Sequence, residues 1–486
     1  MSETVLNKAK WDALLAKVSA GLMVQTDSRE VREGDVFVAI SGPLRDGADF
    51  VPQALENGAA YIVCEKEIET GSAELITHPS PREALGELAM TYFKTADSKI
   101  KLVGITGTNG KTTTTYLIEQ LLSSAGMKVG VLGTVSYRWP GYEQEAPLTT
   151  PGCWQLHEML AKMTEAGVEV AVMEVSSHAL HQNRVCGLSF DAAVITNVTQ
   201  DHLDYHGDME EYFKAKCMLF QHYPSALKRG IINFDDPFGR RLLECYSPAI
   251  GYGMDASYAT GCKSLCGEMI SCTGDGMSLK MTCDGEQWEI ETDLIGKFNG
   301  SNLLAAQAIG LHMGLTAEQM DVFKEFDGVP GRLERVRNDQ RLNIFVDYAH
   351  TPDALDNVLR TLKDLDFSKV ITVFGCGGDR DRAKRPLMAE AACRYSDVAV
   401  LTSDNPRTED PMQIIDDARK GLKGCDHVIE EVDRAEAIRK AVAEMTKDDV
   451  LLIAGKGHET YQIIGTEKRD FSDSEEVSKA IKEIYG

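Results

Sequence analysis

Residues 104–113 read Gly-Ile-Thr-Gly-Thr-Asn-Gly-Lys-Thr-Thr and constrain this chain more than any other segment. The stretch before it, Lys101 to Thr106, is short, apolar and β-branched, which predicts a buried strand. From Thr112 to Ala125, Leu117, Leu121 and Leu122 recur at helical spacing. Strand, glycine loop, Lys-Thr and helix is an arrangement that cradles a nucleotide triphosphate, with backbone N–H groups and the helix N-terminus facing the phosphates. Lys111 would reach the β/γ-phosphates and the Thr112 hydroxyl would bind Mg²⁺. The usual phosphate loop has a further glycine five positions before Gly110. Here Ile105 stands there, and the glycines are Gly104, Gly107 and Gly110. The alternative is an ordinary βα turn.

A chain of 486 residues sets a prior of about three domains. No apolar run approaches the ~20 residues of a membrane helix, and Met1-Ser-Glu-Thr lacks the basic start of a signal peptide. No membrane insertion and a cytoplasmic location are therefore expected. The formal net charge of −24 argues against general nucleic-acid binding. It also means that an anionic substrate must be held by local Arg, Lys, Mg²⁺ and helix N-termini. The 12 cysteines are expected to be reduced thiols. Cys262, Cys266, Cys272 and Cys283 loosely suggest a metal site. With no Cys-x-x-Cys pair and no nearby histidine, small core residues are the favoured reading.

The pattern along the chain divides it into residues 1–98, a small α/β unit; 99–333, a mainly parallel sheet covered by helices; and 334–486, a Rossmann-like α/β unit. Strands are expected at 101–106, 128–132, 168–175, 191–196 and 230–234 in the second unit. In the third they are expected at 342–348, 369–375, 397–403 and 449–454. Residues 255–293 read as an antiparallel addition.

Glu174, in Met173-Glu-Val-Ser-Ser-His178, follows an apolar strand and is placed to bind Mg²⁺; a satisfied buried carboxylate is the alternative. Asp201-His-Leu-Asp-Tyr-His-Gly207 crowds several metal or acid/base groups into one loop. Lys216 sits in a helical stretch, where a lone lysine is usually solvated. Asn299 and Asn302 open a helix and could cap it or face a base. Arg332 and Asp347 straddle the second boundary and could touch a nucleotide. Gly375-Cys-Gly-Gly-Asp-Arg380, Asp404-Asn-Pro-Arg407 and Gly455-Lys-Gly-His-Glu459 each follow a strand and should converge at one sheet edge. Their mixture of guanidinium groups and carboxylates suits a zwitterion; a surface salt-bridge network is the alternative.

Together with Asp27-Ser28-Arg29 and Asp347-Tyr-Ala-His-Thr-Pro352, these motifs, in this order, make the chain resemble the Mur ligase family over its full length. The resemblance implies a three-domain α/β architecture and an ATP-dependent amide-bond ligase. Such an enzyme adds meso-2,6-diaminopimelate to the D-Glu side-chain carboxylate of UDP-N-acetylmuramoyl-L-Ala-D-Glu, through an acyl-phosphate. It implies that Ser28, Thr149, Thr150, Ser176, Gln182 and Arg184 hold the UDP-muramoyl dipeptide. Gly107, Thr108, Asn109, Gly110, Lys111, Thr112 and Thr113 would hold the ATP phosphates, with Asn299, Arg332 and Asp347 placing the nucleotide. Thr112, Glu174 and His202 would bind Mg²⁺. Lys216 matches the family's carbamylated lysine, whose carbamate, formed with CO₂, supports a second Mg²⁺. Arg380, Asp404, Asn405, Pro406, Arg407, Gly455 and Glu459 would form the amino-acid pocket, since Asp-Asn-Pro-Arg is what diaminopimelate-using members carry. Arg407 can pair with the distal carboxylate that lysine lacks. Catalytic weight falls on Lys111, Lys216, His202 and Glu174. The expected partners are small molecules and the expected state is a monomer. A lysine-adding ligase, a ligase like folylpolyglutamate synthetase and a non-catalytic nucleotide-binding scaffold are the alternatives.

Overall fold

The structure, a computed structural model, describes residues 7–42, 45–221, 229–259, 261–324, 326 and 328–486. The chain forms two compact units. One comprises residues 1–266 and 302–320, the other 267–301 and 321–486.

The first unit opens with a four-stranded parallel sheet in the order Val24–Gln25, Val36–Val38, Tyr61–Cys64 and Glu74–Thr77. Trp11, Leu14 and Val18 recur at helical spacing along Lys8–Ser19 and are buried in the core of this sheet together with Leu85 and Leu88 of the helix Pro81–Phe93. The second sheet of this unit is larger. Its parallel strands run in the order Lys263–Cys266 (the start of a longer strand), Ala249–Gly253, Arg229–Asn233, Ala192–Ile195, Lys101–Thr106, Val170–Glu174 and Val129–Leu132. The antiparallel strands Ser136–Trp139 and Tyr142–Glu145 follow at its edge. The central strands are buried on both faces, which is why they read as unbroken apolar runs. The expected strands are found within two residues at each end. The 255–293 addition differs in part: Lys263–Cys266 pairs parallel to Ala249–Gly253, while Gly276–Cys283 and Glu286–Thr292 form an antiparallel hairpin.

The second unit carries that hairpin and a six-stranded sheet in the order Glu334–Arg335, Asn343–Asp347, Val450–Ala454, Val370–Cys376, Val398–Ser403 and Val428–Glu430. All its pairings are parallel except the first. The helices Pro352–Lys363, Pro411–Arg419, Arg434–Glu444 and Asp473–Tyr485 start on the caps Thr351, Asp410, Asp433 and Ser472, each of whose side chains accepts a backbone N–H. Two cysteines depart from the expectation of free thiols throughout: Cys393 and Cys425 are joined, with Cα atoms 5.3 Å apart. Of the four cysteines weighed as a metal site, Cys283 is buried and the others are half-buried. Among the described residues no group of three or more His, Cys, Asp or Glu side chains is placed to hold a metal ion.

Candidate active site

The phosphate loop follows the strand Lys101–Thr106 at the centre of the larger sheet and leads into the helix Lys111–Ser124. Two of its glycines are obligatory. Gly107 has φ +144°, and a Cβ there would lie 1.9 Å from Thr196 Oγ1. Gly110 has φ +87°, and its Cβ would meet Asn302 Oδ1 at 2.4 Å. The loop is pinned from the neighbouring strand end: Thr196 Oγ1 donates to the Asn109 carbonyl at 2.6 Å, and Asn109 N–H donates to Asn197 Oδ1 at 3.0 Å. Thr108 Oγ1 donates to the Thr199 carbonyl at 3.1 Å. Lys111 Nζ folds over the loop and donates to the carbonyls of Gly107 and Thr108, both at 2.9 Å. Asn302 also accepts from Thr114 Oγ1 at 3.3 Å, so it is Asn302 that is seen to meet the phosphate loop. The Asn299 side chain donates to the Ile295 carbonyl at 2.9 Å.

Glu174 ends the next strand, paired in register with Ile105, and is fully buried. Its Oε1 accepts the Thr134 N–H at 2.8 Å. Its Oε2 accepts the hydroxyls of Thr134 at 2.9 Å and Thr112 at 3.1 Å. Thr112 and Glu174 are therefore brought into contact, and their hard oxygens suit Mg²⁺. Thr134 was not singled out in the sequence because nothing local marks it.

Apart from Ser28, the dipeptide-binding candidates form one network behind Glu174. Thr149 Oγ1 lies 3.2 Å from Thr134 Oγ1. Thr150 Oγ1 donates to the Glu174 carbonyl at 2.9 Å and accepts the Ser176 N–H at 3.1 Å. Arg184 donates to the Thr150 carbonyl at 3.0 Å and doubly to Gln182 Oε1. Gln182 and Arg184 also line a cavity of about 340 Å³ with Thr26, Arg82 and Trp154, three residues the motifs did not reveal. Ser28 is buried and donates to Gln53 Oε1 at 2.6 Å; it does not line this cavity.

A histidine cluster adjoins these elements. His202 has φ +53° and a half-exposed side chain whose ring centroid lies 4.7 Å from that of His178. His206 hydrogen-bonds Ser177 Oγ at 3.0 Å. Burial, then the neighbouring His178, pushes the His206 pKa down to about 4. Lys216 departs from the usual solvated lysine of a helix: it is fully buried, with Nζ 4.2 Å from the centre of the Tyr212 ring. Burial lowers its pKa well below the ordinary value, and the nearby Lys111 adds to the effect.

In the second unit the three strand-end segments converge as expected, because their strands are adjacent. Arg407, at φ +51°, donates from Nη1 to the Gly378 carbonyl at 2.8 Å. Asn405 Nδ2 donates to Glu459 Oε2 at 3.0 Å. Gly455 has φ +120° beside the Asp404 carboxylate. Pro406 stands between Asn405 and Arg407, and its carbonyl closes against Gly378. Arg380 is exposed, with its chain beside Gly377. The strand end that carries Asp347 belongs to the same sheet. Asp347 accepts the N–H groups of Leu333 at 2.7 Å and Ala349 at 2.8 Å, and burial raises its pKa. The Arg332 guanidinium lies 4.9 Å from the Tyr348 ring centre. Positive φ at His202, Leu333, Asp379 and Arg407 places strained backbone in or beside four of the predicted motifs.

Three family models cover most of the chain: "Mur ligase family, catalytic domain" at residues 22–93, "Mur ligase middle domain" at 105–310 and "Mur ligase, glutamate ligase domain" at 331–457. The chain is 50% identical to the UDP-N-acetylmuramoyl-L-alanyl-D-glutamate–2,6-diaminopimelate ligase of Lawsonia intracellularis, over 95% of this chain and 96% of that one. The chain belongs to the Mur ligase family. A relative of the same name from Synechococcus elongatus is 44% identical over 95% of this chain and 94% of its own. A solved structure of a ligase of this name superposes with a TM-score of 0.71 at 36% identity, covering 96% of this chain and 95% of the other. The fold is thus the three-domain Mur ligase fold. Among the described residues no helix is long and apolar enough to cross a membrane.

Proposed function

We propose that the chain is the ATP-dependent ligase that joins meso-2,6-diaminopimelate to the D-Glu side-chain carboxylate of UDP-N-acetylmuramoyl-L-Ala-D-Glu in peptidoglycan precursor synthesis, working as a cytoplasmic monomer. The observation that carries this reading is the 50% identity, over nearly the whole of both chains, to a ligase of that name. The boundaries 1–98, 99–333 and 334–486 are taken as those of the dipeptide-, ATP- and amino-acid-binding domains.

In this reading Arg184, Gln182, Thr149, Thr150 and Ser176 hold the muramoyl dipeptide beside the phosphate loop, with Ser28 and the cavity-lining Arg82 serving the nucleotide-sugar end. The loop N–H groups, the helix N-terminus and Lys111 surround the ATP phosphates, and Asn299, Arg332 and Asp347 place the nucleotide. The buried Thr112–Glu174 oxygens, His202 and a Lys216 carbamate would hold Mg²⁺, which neutralises phosphate charge when bound. Lys216 suits carbamylation: burial favours its neutral amine, whose lone pair attacks CO₂, and loss of one proton leaves the carbamate anion. The D-Glu carboxylate attacks the γ-phosphorus, ADP leaves, and an acyl-phosphate forms. Lys111 offsets the charge spread over the transferring oxygens. The pocket of Arg380, Asp404, Asn405, Arg407, Gly455 and Glu459 presents the diaminopimelate amine to the acyl carbon, and collapse of the tetrahedral intermediate expels phosphate. Catalysis is positioning and electrostatics, and no protein nucleophile is required.

The test is phosphate release with ATP, Mg²⁺ and the UDP-muramoyl dipeptide, comparing meso-diaminopimelate with L-lysine. Release with meso-diaminopimelate alone, with a product heavier by one such residue, is expected. Equal rates with lysine would keep the ligase and remove the argument from Arg407. No release with either would leave a different ligase or a nucleotide-binding scaffold.

A further inference from the structure

Lys456 lies inside the Gly455–Glu459 segment, and neither its motif nor the reading above gives it a role. Its side chain is completely buried at the centre of the candidate amino-acid pocket. Nζ donates to Asn405 Oδ1 at 3.0 Å and to the Tyr461 carbonyl at 2.6 Å. It also lies 3.5 Å from Asp404 Oδ1 and 3.6 Å from Glu459 Oε2. One ammonium group thus serves two carboxylates at once. Asn405 Oδ1 accepts from both Lys456 and the Ile463 N–H at 2.9 Å, which fixes the carboxamide orientation and turns its Nδ2 to Glu459. Asp404 Oδ1, the oxygen that faces the Lys456 ammonium, is buried and makes no hydrogen bond within the protein.

Burying a lysine is costly, and a methionine would fill the same space at less cost. Here the ammonium does what an apolar side chain could not. Without it the two carboxylates would face each other with one compensating charge fewer. Balanced in this way, the two carboxylates suit a substrate ammonium. Burial lowers the Lys456 pKa, and the neighbouring Asp404 and Glu459 carboxylates offset only part of that.

The geometry points to Lys456 as the positioning residue of the amino-acid pocket, the charge that balances Asp404 and Glu459 and the donor that orients Asn405 for the ammonium end of the incoming amino acid. The inference rests on the ligase reading. It assigns Lys456 no contact with the reacting atoms, so its loss is felt in binding of one substrate.

The experiment is steady-state kinetics of the unmodified chain, Lys456→Gln and Lys456→Arg, varying ATP, the UDP-muramoyl dipeptide and meso-diaminopimelate in turn, with melting temperatures alongside. Glutamine keeps a donor for Asn405 but removes the charge; arginine keeps the charge. Lys456→Gln is expected to raise KM for meso-diaminopimelate by about tenfold or more, the worth of one charge-assisted contact. Its KM values for the other two substrates and its kcat should stay near those of the unmodified chain, and Lys456→Arg should recover most of the loss. An unchanged KM for meso-diaminopimelate, an equal rise in all three KM values, or a fall in kcat alone overturns the proposal. So does unfolding of both variants, which would make the lysine purely structural. Absence of turnover by the unmodified chain would overturn the ligase reading and this inference together, whereas a defect confined to the variants bears on Lys456 alone.

Discussion

Thr134 shows how a residue outside every motif can decide whether a motif works. Its N–H and hydroxyl both hold Glu174, and the remaining hydroxyl contact to that carboxylate comes from Thr112. Thr134→Val keeps the shape and the N–H but removes the hydroxyl donor. A stability loss of about 1 kcal/mol is expected, with phosphate release falling about tenfold as Glu174 loses its fixed direction; a rate equal to that of the unmodified chain would show Glu174 to be indifferent to Thr134. Gly107→Ala is a harsher change. The alanine would need both a backbone conformation that L-residues avoid and the space held by Thr196 Oγ1. Loss of ATP binding, read by titration with a fluorescent ATP analogue, is expected, and retained affinity would contradict the obligatory close approach. Gly107 and Lys111 were legible because a phosphate loop is contiguous in sequence. Thr134 and Lys456 were not, because each acquires its partners only when distant segments align. For Lys216 only the family resemblance pointed to a role, because a helix face is solvated or buried according to what covers it, and the cover lies elsewhere in the chain.

Among the elements, the helices Arg434–Glu444 and Asp473–Tyr485 are joined by an ion pair that no solvent reaches. Arg434 donates from Nε and Nη2 to the two Asp473 oxygens, both at 2.7 Å, and its remaining donors reach the carbonyls of Ser403 and Ala454 at the pocket's strand ends. Removing one partner of such a pair leaves a buried charge uncompensated. Arg434→Met should therefore cost about 3–5 kcal/mol in denaturant unfolding. Adding Asp473→Asn should return a large part of that, since the stranded carboxylate is then gone, and simple additivity of the two losses would refute the account. Helix starts are marked locally, by Thr351, Asp410 and the prolines that follow them. Pairing direction is less so. Alternation along 255–293 suggested antiparallel strands throughout, yet Lys263–Cys266 follows Ala249–Gly253 in parallel, because direction is set by the route of the connection and not by the residues of the strand.

At the scale of the whole molecule, two effects of acidification oppose each other. The net charge of −24 repels itself, and lowering the pH toward the sequence pI of about 4.9 relieves that repulsion. Against this, one compact unit holds a buried histidine and the other a half-buried one, and each is favoured in its neutral form. Burial pushes His157 in one and His458 in the other down to about 4. His157 is wholly enclosed, with Nδ1 2.6 Å from Thr95 Oγ1 and Nε2 2.9 Å from the Cys186 carbonyl. A histidine whose pKa is depressed on folding binds fewer protons in the native state than in the unfolded one. Its contribution is complete above the unfolded value of about 6.5 and is lost as the pH falls from there toward 4. For His157 that loss is on the order of 3 kcal/mol. Asp27 and Glu409, held near 2 by Arg29 and Arg385, keep their contributions until far lower pH, so they do not mask the histidine window. Salt separates the two effects, since it screens the surface repulsion while leaving enclosed groups almost untouched. In about 0.5 M salt the melting temperature should therefore fall between pH 7.5 and 5, and His157→Gln should flatten part of that fall at some cost at pH 7.5. A melting temperature independent of pH in high salt would mean that these rings take up protons without opening the fold, and that surface charge alone sets its response to acid.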